Sequence, residues 1–217
     1  MIPRKLHIVW VGDDAKRPDN CINTWVNKNP GWEIKVWSNK DLAENEWRNA
    51  KHMQMFAERG EFCGIADLMR YEILYERGGF AIDADSVCLK PLPSWLMDAT
   101  EFCCWENEIK RPGLLANGYL ASQANSPFIG QIIEDIYADD ISDRPAWKAT
   151  GPVRLTEVWE RFEYPNLTIY PSHYFIPEHF SGQRYTGDGH VFAKRFWGST
   201  RKIYDSLYMQ ECIEERE

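Results

Sequence analysis

The run of residues 65–85, IADLMRYEILYERGGFAIDAD, constrains the fold more than any other stretch of the chain. Its first part predicts a helix, because apolar side chains recur every three or four residues, and a glycine pair then ends that helix. The apolar residues 80–82 predict a short buried strand that carries Asp83 and Asp85 to its carboxyl end. Side chains alternate along a strand, so we expect the two carboxylates to project to the same side.

Asp83 and Asp85 form a pair of neighbouring carboxylates, which repel each other unless a cation or a proton lies between them. Oxygen ligands on a short rigid segment suit a hard divalent ion such as Mg²⁺ or Mn²⁺. An isolated D-x-D is more often a solvated acidic turn. The context favours a site here, because Asp67 and Arg70 lie three residues apart on the preceding helix.

The longer string around the acid pair resembles the sugar-binding region containing the DXD motif, found in glycosyltransferase family 32 and related to the catalytic domains of clostridial glucosylating toxins. The family pattern A-(S)-D-x-x-R-x-x-x-L-(Y)-x-x-G-G-(I/F/Y)-x-x-D-x-D is matched by Ala66, Asp67, Arg70, Leu74, Tyr75, Gly78, Gly79, Asp83 and Asp85. The resemblance implies a single GT-A-type (Rossmann-like) α/β domain over residues 1–217, with a central mixed sheet flanked by helices. It also implies a divalent metal cofactor, Mn²⁺ or Mg²⁺, held by Asp83 and Asp85, and a nucleotide-sugar donor. Asp67 and Arg70 would then hold sugar hydroxyls or organise the acid pair.

The opening residues 2–12, IPRKLHIVWVG, predict a buried first strand that ends in a loop. Ligands of α/β sheets bind beyond the carboxyl ends of the strands. The segment also resembles the family's I-P-K-x-I-H-x-x-W opening. That resemblance implies that Trp10 stacks on the nucleotide base, with Val9 beside it in the donor site. Packing in the core is the alternative role for Trp10.

Three later segments are less similar to the family. Asn117 lies where relatives have an asparagine near the donor sugar, and residues 149–156 resemble the segment T-G-P-x-x-L-T at a helix start. His190 and Trp197 resemble a late H-x-x-x-S-W element with altered spacing, which implies His190 as the third metal ligand and Asp188 as the alternative. Basic residues that could offset diphosphate charge follow: Lys194, Arg195 and Arg201.

Helix and strand patterns alternate along the rest of the chain. They predict helices over residues 18–29, 42–58, 127–138 and 201–215, and a helix from residue 152. Residues 51–52 are a candidate break in the second of these helices. Further strands are predicted over residues 32–37, 87–89, 101–105, 114–122 and 166–171, with an ordered loop over residues 172–189. An α/β sheet follows from this order.

Net charge and cysteine content limit the binding partners and the cellular compartment that we expect for this protein. The net charge is −8 and no basic run occurs, so nucleic acid and anionic membranes are poor partners. None of the six cysteines forms a CxxC pair, and Cys103 and Cys104 lie in an apolar run, which favours reduced, packed thiols. No leader and no apolar stretch near about 18 residues is present, so we expect a cytoplasmic protein without a transmembrane segment.

These observations favour a metal-dependent glycosyltransferase. The resemblance implies transfer, with retention of configuration, from a UDP- or GDP-sugar to an acceptor hydroxyl of a glycan, glycolipid or protein. We expect a UDP-sugar. A metal-dependent phosphotransferase or phosphohydrolase could use the same acid pair, but the phosphate-cradling GxxxxGK[ST] loop is missing from the sequence. A non-catalytic carbohydrate-binding module would explain the ten tryptophans but not the acid pair and its helix.

Overall fold

A six-stranded mixed sheet forms the centre of the molecule in the computed structural model, which describes residues 1–210. The strands are β1 (Lys5–Val9), β2 (Glu33–Trp37), β3 (Gly79–Asp83), β4 (Ser86–Cys88), β5 (Glu101–Asn107), β6 (Arg111–Ser122), β7 (Leu167–Tyr170) and β8 (Ala193–Arg195). The main sheet has the order β2-β1-β3-β6-β5-β7, and β6 runs antiparallel to both of its neighbours while the other pairs are parallel. The predicted α/β fold with a mixed sheet is confirmed.

Helices cover both faces of this sheet. They are α1 (Asp19–Lys28), α2 (Asn39–Glu44), α3 (Ala50–Arg59), α4 (Phe62–Arg77), α5 (Pro127–Ala138), α6 (Ala146–Ala149), α7 (Pro152–Phe162), α8 (Gly198–Arg201) and α9 (Tyr204–Leu207). One core layer joins the sheet to α3, α4, α5 and α7, and the other joins it to α1 and the aromatic residues of the late chain. Within residues 1–210, every helix falls short of the combined length and apolarity that crossing a bilayer demands.

The predicted helix–glycine–strand unit is present as α4 and β3. Gly78 and Gly79 both have positive φ, at 60° and 113°, and make the turn between the two elements. At Gly79, a Cβ atom would also collide with the backbone of Lys5 in the neighbouring strand. The glycine pair is therefore required both by the conformation and by the close approach of β1.

Two helix predictions need correction. The predicted helix 42–58 is divided into α2, which begins at a capping box of Ser38 and Asp41 and ends at Glu44, and α3, which begins at Ala50. The candidate break at residues 51–52 is wrong, because both residues lie within α3. The predicted helix 201–215 is replaced, as far as residue 210, by the short α8 and α9. Lys202 has a left-handed φ of 53° between them, and this interrupts the helix. Residues 211–217 of that prediction lie outside the described residues.

A small two-stranded sheet, missed by the sequence patterns, returns the late chain to the end of β3. β4 pairs antiparallel with β8, with Ser86 opposite Arg195 and Cys88 opposite Ala193. Because β4 begins one residue after Asp85, this pairing sets the residues around Arg195 beside the acid pair. The predicted loop, residues 172–189, contains a short 3₁₀ turn, Ser172–Tyr174, and an isolated β-bridge between Glu178 and Arg184.

Candidate active site

A buried ion network joins α4 to the carboxyl end of β3. The guanidinium of Arg70 donates through Nη1 to Asp67 Oδ1, at 2.9 Å, and through Nη2 to Asp83 Oδ1. The Arg70 side chain is only 3% exposed, so its contacts with both carboxylates are shielded from water. Residues three apart share one face of a helix, which places Asp67 and Arg70 on the side of α4 that faces β3. One guanidinium therefore fixes the relative position of two predicted site residues.

Asp67 is held from two further elements. The amide of Asn117, on β6, donates to Asp67 Oδ1 at 2.7 Å. The hydroxyl of Thr150, at the end of α6, donates to Asp67 Oδ2 at 3.3 Å, and the carbonyl of Thr150 accepts a hydrogen bond from Tyr71. The segment that begins at Thr150 thus contributes to the network through a side chain as well as starting a helix.

Asp85 lies in a turn and not in the strand. β3 ends at Asp83, so the expected alternation of Asp83 and Asp85 along one strand is wrong. The Asp85 carboxylate is 1% exposed, and its Oδ2 accepts the backbone N–H of Gly198 at 2.5 Å. Its Oδ1 accepts no hydrogen bond from any of residues 1–210. A buried carboxylate oxygen without a donor is costly, and it is a position at which a cation would be stabilised.

Arg195, on β8, bridges the two aspartates. Its Nη2 lies 2.7 Å from Asp83 Oδ2, and its Nε lies 3.7 Å from Asp85 Oδ1. The guanidinium also lies over the ring of Trp197, 4.5 Å from the ring centroid. Gly118 on β6 makes this approach possible, since a Cβ there would overlap the Asp83 carboxylate.

Burial and the two arginines shift the pKa values of the three aspartates in different directions: those of Asp67 and Asp85 are raised, and that of Asp83 is lowered. Burial raises the pKa of Asp67 to about 6, with a smaller lowering by Arg70 and a further raising by Asp83. Burial would also raise the pKa of Asp83, but Arg195 and Arg70 outweigh it and hold that pKa below the ordinary value. The pKa of Asp85 is raised by burial and by Asp83, against the opposing effect of Arg195. The pKa of Asp83 is therefore the lower of the two in this pair.

Trp10, the predicted base-stacking residue, lies at the same edge of the sheet as Asp83. Trp10 follows β1, and Val9 is paired in register with Asp83. The Trp10 ring meets Tyr204 edge-on at 5.0 Å, and Tyr204 in turn packs over Gly198. Val9 is 6% exposed with its side chain in the core, so only its backbone can face a nucleotide.

The structure does not bring His190 to the acid pair. The β4–β8 ladder starts beside Asp85 and runs away from it, and the carbonyl of Phe192 accepts the backbone N–H of Leu89 near its far end. His190 lies beyond that point, stacked on Phe192 at 5.5 Å and near Trp95 at 6.2 Å. The late chain approaches the aspartates through Arg195 and Gly198 instead, because these residues lie at the near end of the ladder.

The residues present fit a divalent ion that takes only part of its coordination shell from the protein. No cluster of three His, Cys, Asp or Glu side chains able to hold a metal occurs within residues 1–210. Mg²⁺ commonly takes only one or two carboxylates from a protein and completes its shell with water and substrate phosphates. Asp85 Oδ1, which lacks a donor, and the nearby Asp83 match that pattern.

Two contributors to the site escaped the sequence patterns. Arg195 was one of three basic residues in the late segment, and no local feature separated it from Lys194 or Arg201. Tyr204 lay in a segment predicted as a surface helix. Their positions depend on the pairing of β4 with β8. Each of these strands has only three residues, which is too short for a clear strand pattern in the sequence.

Residues 15–102 match the family described as "Glycosyltransferase sugar-binding region containing DXD motif". This confirms the resemblance seen in the sequence. Inositol phosphoceramide mannosyltransferase 1 of Schizosaccharomyces pombe is 29% identical over 140 residues, which are 62% of this chain and 43% of that protein. The chain spans about half or less of the length of the curated relatives it matches.

Two solved structures show the same fold. PaToxG glycosyltransferase aligns with a TM-score of 0.59 at 14% identity, covering 74% of this chain and 70% of that one. The UDP-bound glycosyltransferase domain from the YGT toxin aligns with a TM-score of 0.56 at 10% identity, covering 77% of this chain and 79% of that one. The GT-A type of α/β fold is thereby confirmed.

Proposed function

From the glycosyltransferase sugar-binding region formed by residues 15–102, we propose that this chain is a metal-dependent glycosyltransferase. It would take a nucleotide-sugar donor, transfer the sugar to an acceptor hydroxyl and retain the anomeric configuration. The acceptor would be a glycan, a glycolipid or a protein. Asp83 and Asp85 would hold a divalent ion, Mn²⁺ or Mg²⁺, and residues 1–217 would act as one catalytic domain.

The observation that carries this proposal is the oxygen of Asp85 that has no donor, at the sheet edge where α/β folds bind ligands. It lies beside Asp83, and Arg70 holds Asp83 against α4. A bound ion would offset the negative charge that develops on the leaving nucleoside diphosphate. The contact with Arg70 would hold Asp83 in place before any donor binds.

The network around Asp67 suits a role in binding the sugar. Each oxygen of Asp67 and of Asp83 already accepts a hydrogen bond or ion pair. Carboxylates engaged in this way are better suited to orienting hydroxyl groups than to attacking the sugar as nucleophiles. Asn117 and Arg70 would limit the movement of Asp67, so that sugar hydroxyls meet an ordered surface.

Trp10 would stack on the base of the donor, with Tyr204 supporting its ring and the Val9 backbone beside it. We infer a UDP-linked donor, which is supported by the UDP-bound state of the YGT toxin domain. The name of the fission-yeast relative supports mannose as a sugar to test. The buried thiols of Cys103 and Cys104 suit the reducing cytoplasm.

The test is hydrolysis of a panel of UDP- and GDP-sugars, followed by identification of both products. Sugar transfer to water releases the free sugar and the nucleoside diphosphate. A phosphohydrolase would instead release a sugar phosphate and a nucleoside monophosphate. A carbohydrate-binding module would give no turnover.

Asp85→Asn should lower the rate at least about a hundredfold, because the developing anion loses roughly 3 kcal/mol of charge stabilisation. EDTA should have a similar effect on the wild-type protein. Asp140→Asn changes an exposed aspartate of the α5–α6 loop and is the matched control, with an unchanged rate expected. Undiminished turnover by Asp85→Asn and in EDTA would contradict the proposed metal role.

A further inference from the structure

Arg195 occupies the position between the two aspartates that a divalent ion would need. Its Nη2 contacts Asp83 and its Nε points toward Asp85 Oδ1, across 3.7 Å. That Nε atom is buried and donates to no atom of residues 1–210, so the second contact is incomplete. The guanidinium therefore satisfies one carboxylate well and the other poorly.

The charges of the site favour one additional cation only together with a donor. Asp67, Asp83 and Asp85 supply three formal negative charges, and Arg70 and Arg195 supply two positive ones. A divalent ion added beside a fixed Arg195 would make this buried group of charges positive. The diphosphate of a nucleotide sugar would return this buried group to a net negative charge. The metal ion and Arg195 can therefore both remain in the site only when the donor is bound as well.

Arg70 and Arg195 differ in their freedom to move. Arg70 is 3% exposed and lies between α4 and β3, whereas the Arg195 side chain is 20% exposed and belongs to a three-residue strand. Trp197 supports one face of the Arg195 guanidinium. The contacts among Asp67, Arg70 and Asp83 do not include Arg195, so its displacement would break none of them.

We propose that Arg195 holds the Asp83–Asp85 pair in the absence of metal, is displaced by the divalent ion, and then binds the donor diphosphate. This inference rests on the proposed function and specifies how its metal site is filled. Two opposite effects of one substitution follow. Removing the guanidinium removes a competitor of the metal, and it also removes a cation that binds the donor.

The experiment measures two affinities in Arg195→Gln. Mn²⁺ alone is titrated with detection of the free ion by electron paramagnetic resonance, and UDP is titrated by calorimetry at saturating Mn²⁺. We expect Mn²⁺ alone to bind roughly tenfold more tightly than in the wild type, and UDP to bind roughly tenfold more weakly. Arg195→Lys keeps the charge and should recover part of both changes.

The control is Arg48→Gln, which removes an exposed arginine paired with Glu134 on α5 and should alter neither affinity. Unchanged or weakened Mn²⁺ binding in Arg195→Gln, in a protein whose wild type binds Mn²⁺ and UDP, would overturn this inference alone. A wild type that binds neither ligand would overturn the proposed function as well.

A second measurement uses the wild-type protein, so the result does not depend on the folding of Arg195→Gln. The side-chain Nε–Hε resonance of Arg195, assigned by its loss in Arg195→Lys, is followed by NMR during titration with Mg²⁺. We expect this resonance to shift as Mg²⁺ binds without nucleotide, because the guanidinium leaves the aspartates. A resonance that stays in place at saturating Mg²⁺ would refute the displacement.

Discussion

Arg70→Lys should be strongly destabilising, although it conserves the positive charge. Arg70 reaches Asp67 with one terminal nitrogen and Asp83 with the other, and its side chain is 3% exposed. A lysine offers a single ammonium group on a flexible stem and cannot reproduce that planar fork. One of the two buried carboxylates would therefore lose its charged partner on α4, and only the amide of Asn117 and the hydroxyl of Thr150 (on Asp67) or Arg195 (on Asp83) would remain.

The expected cost follows from the burial of these groups. Loss of one buried charged contact to a carboxylate costs about 3 kcal/mol, because the remaining donors of that carboxylate already have their own contacts and water is excluded. For a domain of this size, each kcal/mol lowers the melting temperature by about 2–4 °C. We therefore expect Arg70→Lys to melt about 6–12 °C below the wild type.

The assay is urea unfolding and thermal unfolding in EDTA, so that no bound metal compensates for the loss. The matched control is Arg48→Lys. Arg48 also makes a bidentate contact, to Glu134, with nitrogen–oxygen distances of 2.9 and 2.8 Å, but those side chains are 46% and 55% exposed. Solvent-exposed pairs contribute little to stability, so the control should have the same melting temperature and urea midpoint as the wild type.

Two results would refute this reasoning. If Arg70→Lys and Arg48→Lys have the same effect, burial of the network does not determine its strength. If Arg70→Lys is as stable as the wild type but loses sugar-nucleotide hydrolysis, Arg70 acts only on the substrate. A change in the denaturant slope would instead show that the unfolded or native ensemble has changed.

The remaining predictions concern the base and the pH dependence. Trp10→Ala should weaken binding of UDP in the presence of Mn²⁺ by roughly tenfold to a hundredfold, as expected for the loss of one stacked base, and Trp10→Phe should recover part of it. Calorimetry measures this, with Trp95→Ala as a control at another partly exposed tryptophan, and unchanged affinity would make Trp10 a packing residue. The second prediction uses the Asp67 pKa of about 6. Because the folded state keeps a proton that the unfolded state has released, this group's stabilising contribution is present below about pH 4 and is lost as the pH rises to about 6, by up to about 3 kcal/mol. The difference in unfolding free energy between wild type and Asp67→Asn should follow that window, and a difference independent of pH would contradict the shift.

The α4–β3 part of the site could be predicted because its signals are local. Helical spacing brings Asp67 and Arg70 to one face, and a glycine pair turns the chain into an apolar strand that ends at Asp83. The helix over residues 127–138 was likewise predictable, because the side chain of Ser126 caps it and Pro127 occupies its first turn. Such features depend on a few adjacent residues, and the sequence displays them directly.

The contribution of the late chain could not be predicted in the same way. Whether Arg195, Lys194 or Arg201 faces the acids depends on the register of β8 against β4, in which Arg195 lies opposite Ser86. A shift of one residue would exchange the faces of the strand, and no local pattern specifies that register. The same dependence explains the misplaced His190, since similarity of residue type carried no information about which end of the ladder it occupies.

The distance along the chain between the acids and their partners has a consequence for the order of assembly. Arg70 is 13 residues from Asp83, whereas Gly198 is 113 residues from Asp85, and Arg195 comes from the same late segment. All six strands of the main sheet have been synthesised by Tyr170, before either late partner leaves the ribosome. A nascent chain can therefore complete its sheet while Asp85 still lacks both partners, and the acid pair becomes enclosed only when residues 193–198 fold back against β4 and Asp85.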